Sequence, residues 1–256
     1  MRMSKNNLQI IVNADDFGLS ESTNFAILKA FNYGIISTTT LMCNMPGFNE
    51  ACEIIFENKL NDKIGVHLNL SEGQPLTEPI KKIEIFYRNG AMYKSIKRHF
   101  LNKEERTAIF KELKAQLDRC IKMGINPTHL DSHHHIHHYW DIGGIVQELA
   151  IKSKIKAVRL QFNWGNLSKK RLIYSKLYNF RLRISNLAKS KYFCEINSVS
   201  SELLRKNSPI EVMVHPCLNY QNTITNYYNG ENLVELVKNQ IPLENLTTYK
   251  HLIFYN

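Results

Sequence analysis

No run of about 18 apolar residues occurs in this 256-residue chain, so it contains no hydrophobic stretch of transmembrane length. The five cysteines, Cys43, Cys52, Cys120, Cys194 and Cys217, are odd in number, scattered and without a CxxC pair. That pattern argues against a disulfide framework or a thiolate zinc site and points to reduced thiols. No GxGxxG or GxxxxGK[ST] follows the first apolar run, which removes the main support for a Rossmann or P-loop nucleotide site. There is no internal repeat, low-complexity tract or clear linker. The N-terminal MRMSKNNLQIIVNADDFG is basic, but its apolar stretch is only Ile10 to Val12 before it turns acidic. That is no signal peptide, and a cytoplasmic location is the expectation.

Acid is also scarce. The chain has 33 Lys and Arg against 23 Asp and Glu, a net charge of +10. The deficit is local: residues 168–192, SKKRLIYSKLYNFRLRISNLAKSKY, hold eight Lys or Arg and no acid. Such a stretch suits nucleic acid, anionic headgroups or an acidic substrate. The commoner reading is a solvated helix face, and nucleic acid is not the expected partner. Its apolar members, Leu172, Ile173, Leu177, Phe180, Ile184 and Leu187, suit either an amphipathic surface helix making peripheral membrane contact or, as the commoner case, a helix packed on the core.

Hydrophobic residues make up 43% of the chain, enough for a substantial core. Strand-like and helix-like stretches alternate. Residues 8–13, 35–43, 63–70, 127–131, 155–160, 211–215 and 252–255 read as strands. Residues 48–58, 102–123, 139–153 and 231–239 read as helices, as does a segment from the cap residue Ser20 to the stop at Gly34. The basic segment at about 168–192 reads as a helical insertion. This order predicts an α/β fold with a mainly parallel sheet, either a barrel or an open doubly wound sheet, in one domain spanning residues 1–256.

Polar residues cluster at the ends of these strands. Asp15 and Asp16 follow the first, His67 lies near the end of the third, Asp131 and His133 close the fourth. Arg159 nears the end of the fifth and His215 ends the sixth. In a parallel barrel those ends share the face that carries the active site. Adjacent carboxylates such as Asp15 and Asp16 diverge, so one can face a metal and the other a reacting water. The stretch THLDSHHHIHH holds six of the ten histidines. One carboxylate with two imidazoles leaves open positions, as catalytic metal sites require. If the segment is extended, His133 and His135 share a face and His134 points away. Arg159 suits an anionic substrate or the Asp15 carboxylate, and His215 titrates in the range of a general acid.

NADDFGLS (residues 13–20), GVHLNL (65–70), PTHLDSHHHIH (127–137) and VHP (214–216) resemble, in that order, the motifs of the YdjC-like carbohydrate deacetylases. That family includes chitooligosaccharide deacetylases. The resemblance spans residue 8 to about 216. It implies a (β/α) barrel-like fold of the glycoside hydrolase/deacetylase superfamily. It implies one divalent metal, magnesium or zinc, held by Asp16, His67 and His133. It makes Asp15 the general base and His215 the general acid. Asp131 and Arg159 become supporting residues near the site, while His135, like His137, either orients the site or lines the sugar pocket. The basic segment matches no motif of the family.

The expected reaction removes an acetyl group from an N-acetylated sugar, giving acetate and a free amino sugar. The alternatives are a metal-dependent hydrolase of another bond, such as a phosphoester, and a non-catalytic sugar-binding barrel. A homo-oligomer is compatible with any of them.

Overall fold

Six short strands, most of them buried along their whole length, run side by side in one direction. In the computed structural model, which describes residues 8–93 and 100–252, the elements follow one another as β1 (Ile10–Phe17), α1 (Glu21–Asn32), β2 (Thr38–Leu41), α2 (Phe48–Glu57), β3 (Ile64–Leu68), α3 (Glu78–Lys81), β4 (Tyr87–Arg88), β5 (Ala91–Met92), α4 (Lys103–Lys122), β6 (Leu130–Ser132), α5 (Trp140–Lys152), α6 (Lys169–Ile184), β7 (Tyr192–Glu195), α7 (Ser201–Arg205), β8 (Ile210–Val214), β9 (Pro216–Leu218), β10 (Ile224–Asn226) and α8 (Leu233–Gln240). The main sheet has the order β6-β3-β2-β1-β8-β7, all parallel. The pairs β4-β5 and β9-β10 are small antiparallel ribbons.

The sheet curls into a half-barrel that nearly closes. Beyond β6, the Leu130 N–H donates to Ala157 O and the Arg159 N–H to Leu130 O, forming a lone parallel bridge at Val158. On the far side, the Asn163 N–H reaches Phe193 O in β7 at 3.3 Å. This is the α/β barrel-like fold expected from the sequence. The strand expected at 155–160 is reduced to that single bridge. Its hydrogen bonds are divided: Val158 donates to Leu187 O, and Gln161 takes the side chain of Asn179 instead of a strand neighbour.

Other boundaries also move. β1 extends to Phe17, so Asp15 and Asp16 lie within the strand and not after it. The helix expected over 168–192 stops at Ile184. Asn186 is left-handed (φ 56°), and the chain then enters β7. His133–His138 form a 3-10 stretch in which His134 and His135 are left-handed (φ 50° and 53°), so the extended-chain alternation expected there does not apply. Of the strand expected at 252–255, Leu252 is outside regular structure and the rest lies outside the described residues.

The long helix is the clearest case of local sequence deciding structure. Asn102 caps α4 by accepting the Glu105 N–H, and the Glu105 carboxylate accepts the Asn102 N–H in return. Ala108, Ile109, Leu113, Leu117 and Cys120 then fall on its buried face. Gly65 in β3 is dictated by a close approach: a Cβ there would lie 2.5 Å from the buried His129 ring.

Candidate active site

The end of β1 sets the geometry. Its register with β2 shifts between Ala14 and Phe17, and Asp16 is left-handed at φ 71°. A non-glycine residue there is uncommon and costs local strain. The result is that the two adjacent carboxylates serve different neighbours.

Asp16 reaches two imidazoles. Its Oδ1 lies 3.2 Å from His67 Nε2 and 2.8 Å from His133 Nδ1. Each imidazole is backed by a carboxylate of its own. His67 Nδ1 meets Asp131 Oδ1 at 2.7 Å, and His133 Nε2 meets Glu72 Oε2 at 2.9 Å. Thr40 from β2 donates to Asp131 Oδ2 and lies 3.1 Å from His67 Nδ1. A carboxylate behind a histidine fixes its tautomer and aims the opposite nitrogen, the arrangement found behind metal-ligating histidines.

Burial opposes charge on Asp16, yet the hydrogen bonds from His133 and His67 hold its carboxyl well below the usual range. Burial likewise disfavours an imidazolium at His67, but the Asp131 charge and the hydrogen bonds to Asp131 and Asp16 raise it to about 10. Burial also works against His133, while Asp16 and Glu72 raise it. With both imidazoles raised, protons on the rings hold the two nitrogens against Asp16 Oδ1, the positions that a cation would take in their place.

Asp15 turns the other way, into the barrel interior, and meets Arg159. Nη1 donates to Asp15 Oδ2 and Nη2 to Asp15 Oδ1, both at 2.7 Å. Nη1 also lies 2.7 Å from Asp131 Oδ2, and Nε donates to Glu211 Oε1 at 2.6 Å. Glu211 accepts in turn from the Tyr249 hydroxyl. Arg159 and its three carboxylate partners are fully or almost fully buried. Burial would raise the Asp15 carboxyl, but the Arg159 charge and hydrogen bonds, together with the charges of His67 and His215, outweigh it and hold the group well below the usual range. Asp15 Oδ1 also accepts from Asn13. Oδ2 takes one donor and faces His215 Nε2 at 3.9 Å. Burial lowers His215, partly offset by Asp15 and Asp16.

Three sets of side chains among the described residues could grip an ion: Asp16, His67 and His133; Glu72, His133 and His134; Asp15, His67 and Asp131. In the third, Asp15 and Asp131 are already ion-paired with Arg159. In the second, His134 Nδ1 is engaged by Ser71 Oγ at 2.9 Å. The first offers one carboxylate oxygen and two backed imidazole nitrogens from three separate elements, a donor set that fits a catalytic first-row divalent ion.

The structure thus brings Asp15, Asp16, His67, Asp131, His133, Arg159 and His215 together. It does not bring His135 into any of the ion-gripping sets. That ring stacks on His138 with centroids 4.9 Å apart, stands edge-on to Phe162, and lines a neighbouring cavity of about 400 Å³. His134, whose ring lies 3.9 Å from that of His133, lines the same cavity, as do Tyr139, Tyr174 and Lys170. Sequence reasoning missed Thr40, Glu72, Glu211 and Tyr249. Glu72 alone had a local signal, an acid just past the end of a strand that carries a candidate ligand.

The family model for YdjC-like proteins matches residues 9–243. A carbohydrate deacetylase of Halalkalibacterium halodurans is 35% identical over 212 residues, 82% of this chain and 85% of its own. A chitooligosaccharide deacetylase of Proteus mirabilis is 31% identical over 213 residues, 81% of this chain and 80% of its own. The crystal structure of a candidate cellobiose-phosphate cleavage protein from Enterococcus faecalis V583 has the same fold, with a TM-score of 0.72, 24% identity, and coverage of 96% of this chain and 98% of that one.

Proposed function

The chain belongs to the YdjC-like family, and on that premise we propose that it hydrolyses the acetamido group of an N-acetylated sugar. The products are acetate and a free amino sugar; the names of the relatives from H. halodurans and P. mirabilis, a carbohydrate deacetylase and a chitooligosaccharide deacetylase, support deacetylation of a sugar. The observation that carries this reading is the Asp16 oxygen facing two carboxylate-backed imidazoles, with the Asp15–His215 pair beside it.

In this reading Asp16, His67 and His133 hold a divalent ion. Such an ion polarises the acetyl carbonyl and makes a water molecule more acidic. Two imidazoles with a single carboxylate favour zinc or another first-row ion over magnesium. Asp15 is a weak base because Arg159 holds it low, so it accepts a proton only from a water whose acidity is already raised. The accepting atom is Oδ2, which keeps a lone pair on the side of His215. Water adds to the acetyl carbon as its proton passes to Asp15. Because burial keeps His215 neutral at rest, that proton moves on from Asp15 Oδ2 to His215 Nε2, and His215 delivers it to the amine as the C–N bond breaks. Asp131 and Glu72 orient the two imidazoles, and Arg159 fixes Asp15. The aromatic walls of the neighbouring cavity, Tyr139, Phe162 and Tyr174, suit the apolar face of a sugar ring. The five cysteines are free, and four are buried, which supports a reducing compartment such as the cytoplasm.

The test is an acetate-release screen over N-acetylated sugars, with metal content measured on the same samples. Asp15→Asn is expected to keep its metal and lose turnover. Normal turnover in that variant would remove Asp15 from the role of base.

A further inference from the structure

Helix α6 packs against the barrel with the face that looks least suited to it. Its buried residues are Ser175, Tyr178, Asn179 and Leu182. Tyr178 donates from its hydroxyl to His137 O at 2.6 Å, and Asn179 bonds both ways with the backbone of Gln161. The apolar stripe points outward instead. Ile173, Leu177, Phe180 and Ile184 are 62%, 58%, 62% and 68% exposed. Their spacing of four, three and four residues sets them in one line along the helix.

Basic residues border that line on both sides. At about 100° per residue, Lys169, Lys176 and Arg183 run along one margin, and Lys170 and Arg181 along the other. Arg181 stacks on the half-exposed Trp140 at 4.4 Å and donates to its carbonyl, which extends the surface by an aromatic. Residues 149–194 contain no Asp or Glu at all. The preceding acid, Glu148, is paired with Lys152.

We propose that α6 is a membrane-surface helix, which seats its apolar stripe among the acyl chains of an anionic phospholipid bilayer while its basic margins meet the headgroups. Charge decides the occupant. Pairing this face with that of a second copy would set Lys and Arg against Lys and Arg with no acid on the helix to relieve them, whereas anionic headgroups neutralise both margins. Lys170 belongs to one margin and also to the wall of the cavity beside the site. Docking therefore brings the cavity to the bilayer surface. Resting on the deacetylase reading above, this assigns as substrate an N-acetylated sugar presented at that surface.

The experiment is co-sedimentation of the full chain with phosphatidylcholine vesicles, with and without phosphatidylglycerol. The wild type is expected to bind only the anionic vesicles. Leu177→Ser with Phe180→Ser, and separately Lys176→Glu with Arg183→Glu, are expected to weaken that binding by about tenfold or more. All four positions are exposed, so acetate release from soluble N-acetylated sugars should be unchanged in both variants. Equal binding by wild type and variants, or no binding by the wild type, overturns the proposal. So does a lipid-free dimer that the Leu177→Ser, Phe180→Ser variant dissolves, since it assigns the face to a second copy. Anionic vesicle binding lost in the variants, with no acetate released from any sugar, upholds the helix assignment and sinks the deacetylase reading alone.

Discussion

His67 Nδ1 lies 2.7 Å from Asp131 Oδ1, and that contact turns the opposite nitrogen of the ring toward Asp16. Asp131 touches neither Asp16 nor His133, yet it determines which nitrogen of His67 is free to bind. Asp131→Asn keeps the shape and weakens the hold on the ring. It is expected to lower zinc affinity by about 10- to 100-fold, read by calorimetric titration. Unchanged affinity would mean that His67 is oriented by Thr40 alone.

Ion uptake should release a proton. In the metal-free chain, burial lowers the His67 pKa, but Asp131 and Asp16 raise it from 6.5 to about 10. Because the folded value is raised, the stability His67 contributes is complete below 6.5 and is lost as pH climbs through 10. A metal taking Nε2 at neutral pH displaces the proton held there. Titrations of zinc in buffers of different ionisation enthalpy are expected to show about one proton released from His67 per ion.

A single guanidinium, Arg159, pairs with Asp15, Asp131 and Glu211 inside the barrel. Removing it strands three buried carboxylates. Arg159→Met is expected to cost on the order of 3–5 kcal/mol in urea unfolding. Arg159→Lys keeps the charge but not the fork, and should recover part of the stability while leaving Asp15 poorly held.

Gly65 leaves room for His129, whose ring is stacked on Tyr249 with centroids 3.8 Å apart. Gly65→Ala forces that ring aside and is expected to cost about 1–3 kcal/mol, measured by thermal or urea unfolding. Since Tyr249 donates to Glu211, which accepts from Arg159, the strain reaches the support of Asp15.

The parts of the fold written in local pattern were readable from the sequence. The apolar period of α4 placed that helix to within a residue, and the Asn102–Glu105 capping box explains why it starts there. The delivery of polar residues to one end of several strands placed Asp16, His67 and His133 on a common face before any coordinates. What could not be read depended on partners distant in the chain. The bridge at Val158 replaces a full strand because its neighbours share out the hydrogen bonds. The left-handed backbone at His134 and His135 turned an expected alternation into a tight turn. Thr40 and Glu211 look like ordinary strand residues until the fold sets them against Asp131 and Arg159. The stripe of α6 was visible as spacing, but its outward direction follows from Tyr178 and Asn179 taking the inner face.

The most direct test is acetate and free amine released from diacetylchitobiose and related N-acetylated sugars by the metal-stripped protein, before and after zinc or magnesium is restored. The prediction is no release when stripped, recovery on restoring an ion, one acetate for each new amine, and no recovery in His67→Ala. Release that is indifferent to metal, or that persists in His67→Ala, would contradict it.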